Sequence, residues 1–274
     1  MRALWRFLVQ AGRGSASGCT LFITATLVCS TAAQAGVAIG LTRVIVTGAD
    51  KAGSVQILND GPRPALLQLW IDNNISEMDT AIEQIKVPFV VDTPVFRLNP
   101  KTNKSVRIYY TGNNDAANNH TGKTTQLPSD RESMFWLNVL EVPPKSASRQ
   151  AASNEVQIAF RSRIKLFYRP VGIPASSEGA ISQLSFKWVP QGAGGVFRVT
   201  NPTPFNVTFQ TLAIAQSKSA ARIIIKLGND DMVGPKSSAD GVLVGNKVPA
   251  KNMTVFFSII DDFGSSIEGQ QTLQ

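Results

Sequence analysis

The stretch NEVQIAFRSRIKLFYRP, residues 154–170, decides how the rest of the chain is read. Val156, Ile158 and Phe160 recur at period two, interleaved with Gln157 and Ala159, so the segment reads as an extended strand with one apolar face. Beyond it, Arg163, Lys165 and Arg169 stand among Ile164, Leu166, Phe167 and Tyr168. At least one of these cations must enter an apolar neighbourhood, where it needs an anionic partner or costs several kcal/mol, roughly. Pattern alone leaves the apolar face two destinations: the core of its own domain or a groove on another molecule.

The N-terminal residues set the compartment. Arg2, Arg6 and Arg13 precede an apolar run from about Cys19 to Ala33, which ends in Ala33-Gln34-Ala35. A basic region, an apolar region and a small-residue cleavage pattern predict a signal peptide over residues 1–35. The run is too short and too rich in Thr and Ser for a membrane span, which takes about 20 mostly apolar residues. Cleavage leaves 239 of the 274 residues, starting at Gly36 and lacking both Cys19 and Cys29. An exported chain without disulfides must rest on hydrophobic cores, and this length suits two ordinary domains. The full chain carries 27 basic and 19 acidic residues, a net charge of +8; losing the leader's three arginines lowers it to +5. These cations are scattered, which together with export favours solubility and partner steering over nucleic-acid binding.

After Ala35 the chain reads as short strands separated by turn chemistry, with no sustained helical period. Strands are predicted near 37–41, 42–46, 55–58, 66–71, 89–91, 95–98, 106–110 and 135–142. Asn59-Asp60-Gly61 is a turn signal, TGNNDAANNHTGKTT at 111–125 a polar loop, and Pro143-Pro144 a stop that no central strand accommodates. Seven or more strands in about 135 residues without helical intervals predict an antiparallel sandwich. Pro170, Pro174 and the small polar run 175–179 mark a change of unit. Strand candidates resume at 182–188, 195–200, 205–212, 222–227 and 254–260. The expected organisation is a domain over 36–170 and a second all-β domain over 171–274.

Catalytic motifs are thin. His120 is the only histidine and falls in the Asn-rich loop, without the partners a triad or a histidine metal site requires. Gly192, Gly194 and Gly195 lack a P-loop Lys-Ser/Thr sequel and a following helix, so they read as a hairpin turn. Five N-x-S/T triplets, Asn74–Ser76 and Asn206–Thr208 among them, arise readily by chance in an Asn-rich chain and are expected to carry no sugar. No enzymatic activity, cofactor or metal is expected, although carboxylates alone could serve a glycosidase.

TRVIVTG, LPSDRESMFWLNVLEVPP, RIKLFYRPVGIP, VTNPTPFNVTF and DDFG, in this order along nearly all of residues 36–274, resemble the periplasmic pilus chaperones, the PapD-like family. Pilus chaperones are themselves known examples of sandwich folding and of strand addition. The resemblance implies two immunoglobulin-like domains set at an angle, with a pilus or fimbrial subunit bound along an edge strand of the first and in the cleft. It implies that Arg43 and Lys165 grip the subunit's terminal carboxylate, and that Asn154, Val156, Ile158 and Phe160 fill its groove. It further implies an interdomain ionic set of Glu132, Arg169 and Asp262, later delivery to an outer-membrane usher, and no ATP. The short link between Pro144 and Asn154 resembles the branch with a short F1–G1 loop, which serves thick rod-like pili. An exposed edge makes self-association of the free protein plausible; neither nucleic-acid binding nor membrane insertion after signal cleavage is expected. An adhesive or structural sandwich of the cell envelope that binds no subunit is the alternative. Phe160 and Lys165 differ by five, so in a regular strand they face opposite ways, about 17 Å apart at roughly 3.3 Å per residue.

Overall fold

Alternation of apolar and polar residues builds the first set of strands: β1 (Val37–Ile39), β2 (Arg43–Thr47), β3 (Ala52–Asn59), β4 (Ala65–Asp72), β5 (Phe89–Val91), β6 (Val95–Leu98), β7 (Thr102–Tyr110), β8 (Ser133–Val142) and β9 (Phe160–Arg169). The computed structural model describes residues 36–73, 80–112, 127–144, 158–191, 194–245, 248–250 and 252–274. The predicted leader, Asn154, Val156, His120, Gly192, the Asn74 triplet and residues 113–126 lie outside the described residues.

β1, β3, β7 and β5 form one sheet in that order, and β2, β9, β8, β4 and β6 form a second. Val55 and Ile57 on β3 and Val106 and Ile108 on β7 meet Val44, Leu67, Leu137 and Leu166 from the other sheet in a single core. Each such side chain contributes about 1.5–3 kcal/mol on burial. The N-terminal segment changes sheets. β1 pairs antiparallel with β3, then Gly40 donates its N–H to Gln56 O at 2.9 Å, and β2 pairs parallel with β9. That crossing puts β2 at the edge of the five-stranded sheet.

The second set is β10 (Ser185–Gln191), β11 (Gly194–Asn201), β12 (Val207–Ala215), β13 (Ile223–Leu227), β14 (Met232–Val233), β15 (Ser237–Leu243), β16 (Thr254–Ile260) and β17 (Ser266–Thr272). They form one curled sheet in the order β10-β11-β15-β13-β12-β16-β17, with β14 on β12. β13 pairs with β12 at Ala213↔Ile224 and with β15 at Ile225↔Leu243, so it passes from one layer to the other. Phe186, Phe197, Phe209 and Phe257 form the aromatic centre of its separate core. The chain is thus two β-sandwich domains, and the same turn device serves both. Asn59 at the end of β3 and Asn201 at the end of β11 are buried, and each accepts a backbone N–H two residues on while its amide donates to carbonyls across the turn.

Two local expectations shift. Residues 182–183 belong to a 3₁₀ turn, Glu178–Gln183, with β10 starting at Ser185. β9 starts at Phe160, and Ile158 and Ala159 precede it without strand pairing.

Candidate functional site

Side chains alternate between the two faces of β9, while its two backbone edges find their partners separately. Ile164, Leu166 and Tyr168 pack in or against the first core. Ile158 and Phe160 share their parity yet are 59% and 62% exposed, so the apolar face runs on beyond the sandwich that covers it. One edge of β9 pairs with β8 from Phe160↔Glu141 to Tyr168↔Ser133. The other pairs with β2 only from Arg43↔Lys165 to Thr47↔Arg169. Among the described residues no strand covers that second edge at 160–164, and its N–H and C=O groups form a template for an added strand.

The first rung of the β2–β9 ladder places Arg43 beside Lys165, both buried, at 6% and 9% exposure. Arg43 Nη1 donates to Ile260 O at 2.9 Å, and its guanidinium lies 5.7 Å from the centroid of Phe167. Lys165 Nζ donates to Thr208 Oγ1 at 3.3 Å and lies 5.9 Å from the centroid of Trp136. Ile260 and Thr208 belong to β16 and β12, so the pair sits where the two sandwiches meet. Among the described residues neither cation has a carboxylate at ion-pair distance, and the buried Nε of Arg43 has no hydrogen-bond partner. Burial pushes both pKa values below their ordinary ranges, and Arg43 pushes Lys165 further down. Asp262, Asp261 and Glu132 oppose this at Arg43, and Asp230 and Asp231 at Lys165, but from a distance. Two adjacent desolvated cations without a contacting anion favour binding of one.

Upstream on the same face of β9, Arg163 lies 4.7 Å from the centroid of Trp136, and Arg161 lies 4.7 Å from that of Trp70. Both arginines pair with the fully buried Asp72, which also accepts from Asn138 Nδ2 at 2.8 Å. This stack braces the strand that carries Lys165.

At the far end of the ladder the structure brings Glu132, Arg169 and Asp262 together. Arg169 Nε and Nη2 donate to Glu132 Oε1 at 2.9 and 2.8 Å. Its Nη1 and Nη2 donate to Asp262 Oδ2 and Oδ1 at 2.7 and 2.9 Å, and Nη1 also donates to Ala175 O at 2.6 Å. All five guanidinium N–H donors are therefore used. Glu132 Oε2 accepts the Asn206 N–H at 2.8 Å, and Asp262 accepts the Ser177 hydroxyl at 2.6 Å. Burial raises the Glu132 pKa against the pull of Arg169, whereas the hydrogen bonds from Arg169 and Ser177 outweigh burial and lower that of Asp262.

Sequence reasoning did not single out Thr208, Ile260, Trp136 or Asp72. Trp70, Trp136, Arg161 and Arg163 did carry a signal: two tryptophans and a run of cations at period two on neighbouring strands. Thr208 and Ile260 carried none, because they approach through tertiary packing.

Two linked sandwiches, one bearing an open strand edge that ends at a desolvated cation pair, define a class of strand-pairing binding protein. The description "Pili and flagellar-assembly chaperone, PapD N-terminal domain" matches residues 36–174, and "Pili assembly chaperone PapD, C-terminal domain" matches residues 179–271. The chain belongs to the PapD pilus-assembly chaperone family. It is 36% identical over 247 residues to the probable fimbrial chaperone YadV of Escherichia coli K12, covering 89% of this chain and 92% of that protein. It is 38% identical over 233 residues to the chaperone protein FimB/FhaD of Bordetella pertussis, covering 85% and 86%. The crystal structure of the YadV chaperone superposes with a TM-score of 0.67 at 36% identity, covering 87% of this chain and all of that one.

Proposed function

We propose that this protein is a periplasmic, non-enzymatic chaperone that captures pilus or fimbrial subunits on the open edge of β9 and passes them to an outer-membrane usher. In this reading residues 1–35 direct export and are removed, and residues 36–170 and 171–274 are the two working domains. The observation that carries it is the edge at 160–164, unpaired among the described residues and stopping at Arg43 and Lys165. A strand added there lies in line with β2 and must end short of Arg43. If it runs parallel to β9, as β2 does, its terminal carboxylate meets the two cations; if it runs antiparallel, a terminal ammonium does. The charge pair therefore selects the parallel orientation and sets the register.

While the backbone pairs, Ile158 and Phe160, with Val156 and Asn154 upstream, fill the groove left in a subunit that lacks a strand. Each apolar residue contributes about 1.5–3 kcal/mol before ordering costs. The lent strand covers a sheet edge that would otherwise aggregate, and handover replaces it with a strand from a neighbouring subunit, with no nucleotide consumed. Co-expression with a subunit tests the strand directly: Phe160→Glu should cut the recovered complex at least tenfold with the unfolding midpoint unchanged. Undiminished recovery would mean that Phe160 does not enter the subunit's groove.

A further inference from the structure

The hairpin between β16 and β17 ends in Asp261-Asp262-Phe263-Gly264-Ser265, and its aromatic ring is conspicuous. Phe263 is 86% exposed, more than any other large hydrophobic side chain among the described residues. An exposed phenylalanine on a mobile loop would mean little, but this tip is fixed at several points. Asp261 Oδ1 accepts the N–H groups of Phe263 and Ser265 at 2.9 and 2.7 Å, and the Asp261 N–H donates to Ser265 O at 2.9 Å. Asp262 is held by Arg169 and Ser177, and Ile260 O accepts from Arg43.

Gly264 clamps the tip from the other side. It has φ +88°, and a Cβ built on it would lie 2.6 Å from Thr42 Oγ1, so the turn rests against the residue that precedes Arg43. The backbone that carries the exposed ring is thus fixed beside Thr42, where the chain enters the cation pair. An incoming strand that ends at Arg43 and Lys165 finishes beside Thr42.

We infer that Phe263 is a specificity element which packs on the last residues of the captured strand and favours apolar side chains next to the terminal carboxylate. The inference rests on the proposed parallel capture of a free carboxyl end, but assigns a different group a different task. Arg43 and Lys165 recognise the charge, and Phe263 reads the side chains beside it.

Two twelve-residue alternating peptides with free carboxyl ends, identical except for Leu-Leu or Ser-Ser at the last two positions, together with the amide of each, separate the two roles. Titrated into the full chain, the Leu-Leu acid should bind about tenfold more tightly than the Ser-Ser acid. Phe263→Ser should bring the two within about twofold, and Phe263→Leu should restore most of the preference. A preference that survives Phe263→Ser, or one that wild type never displays, overturns the inference. Amidation should weaken both peptides in both proteins; amides that bind as well as acids would overturn the carboxylate reading, while the Leu-to-Ser ratio still judges Phe263. No binding of any peptide at millimolar concentration overturns both.

Discussion

The two ends of one five-residue ladder carry buried cations in opposite states. At the Thr47↔Arg169 end, Arg169 spends all five donors on Glu132, Asp262 and Ala175 O. At the Arg43↔Lys165 end, among the described residues, each cation makes one side-chain hydrogen bond to a neutral oxygen, and the Nε of Arg43 makes none. The ends share strands, sheet and burial, so the difference lies in the supply of anions. A closed set of charges fastens the domains, whereas the open pair is the one that, under the proposed function, receives the carboxylate of a captured strand.

The largest effect should come from breaking the closed end. Arg169→Ala leaves Glu132 and Asp262 without their counter-charge in a buried setting, and urea unfolding should register a loss of about 3–5 kcal/mol. A loss below about 1 kcal/mol would put the two ends on an equal footing.

The open end should respond in the opposite direction. Lys165→Met removes an uncompensated buried charge and should stabilise the free protein by about 1 kcal/mol. The same logic fixes a pH dependence. The folded pKa of Lys165 lies below its ordinary value, so over that interval the folded chain has released a proton that the unfolded chain still holds. Stability of the free protein should therefore rise with pH through that window and fall again as pH drops through the folded pKa, while affinity for a carboxyl-ended strand should decline as the charge is lost. Lys165→Arg, titrated from pH 7 to 10, should flatten both trends; unchanged slopes would remove Lys165 from the receptor.

The smallest effect should be at Asp130. It pairs with Lys236 across the domains at 2.6 Å, and hydrogen bonds from Arg131 and Lys236 hold its pKa well below the usual carboxylate range, but the site is open to solvent. Asp130→Ala should leave the unfolding midpoint within experimental error. A measurable shift would show that exposed charges, too, fasten the domains.

Much of this architecture is legible in the sequence. The segments at 89–91, 95–98 and 254–260 match β5, β6 and β16 residue for residue, because apolar side chains bounded by turn residues leave little choice. β15 and β17 were not legible. SSADGVL and SIEGQQT put mostly small or polar residues on strands, and neighbouring strands, not their own pattern, hold them extended. At the site, period two put Ile158 and Phe160 on one apolar face without deciding whether their own core or a partner covers it, and apolar surroundings flagged the cations of β9. Which cation is paired could not be read from spacing, since Glu132, Thr208, Asp262 and Ile260 lie 37 to 217 residues away in sequence from the cations they contact. The same limit hid Phe263, whose meaning comes from the contact of Gly264 with Thr42.

The central claim, that the open cation pair is the anchor for a captured subunit, is tested most directly by co-expressing a pilus subunit with wild type, Arg43→Ala and Lys165→Ala and measuring the complex recovered from the periplasm. Both variants should accumulate as folded protein and recover less than a tenth of the wild-type complex. Recovery at the wild-type level by both, from equally folded protein, would contradict it.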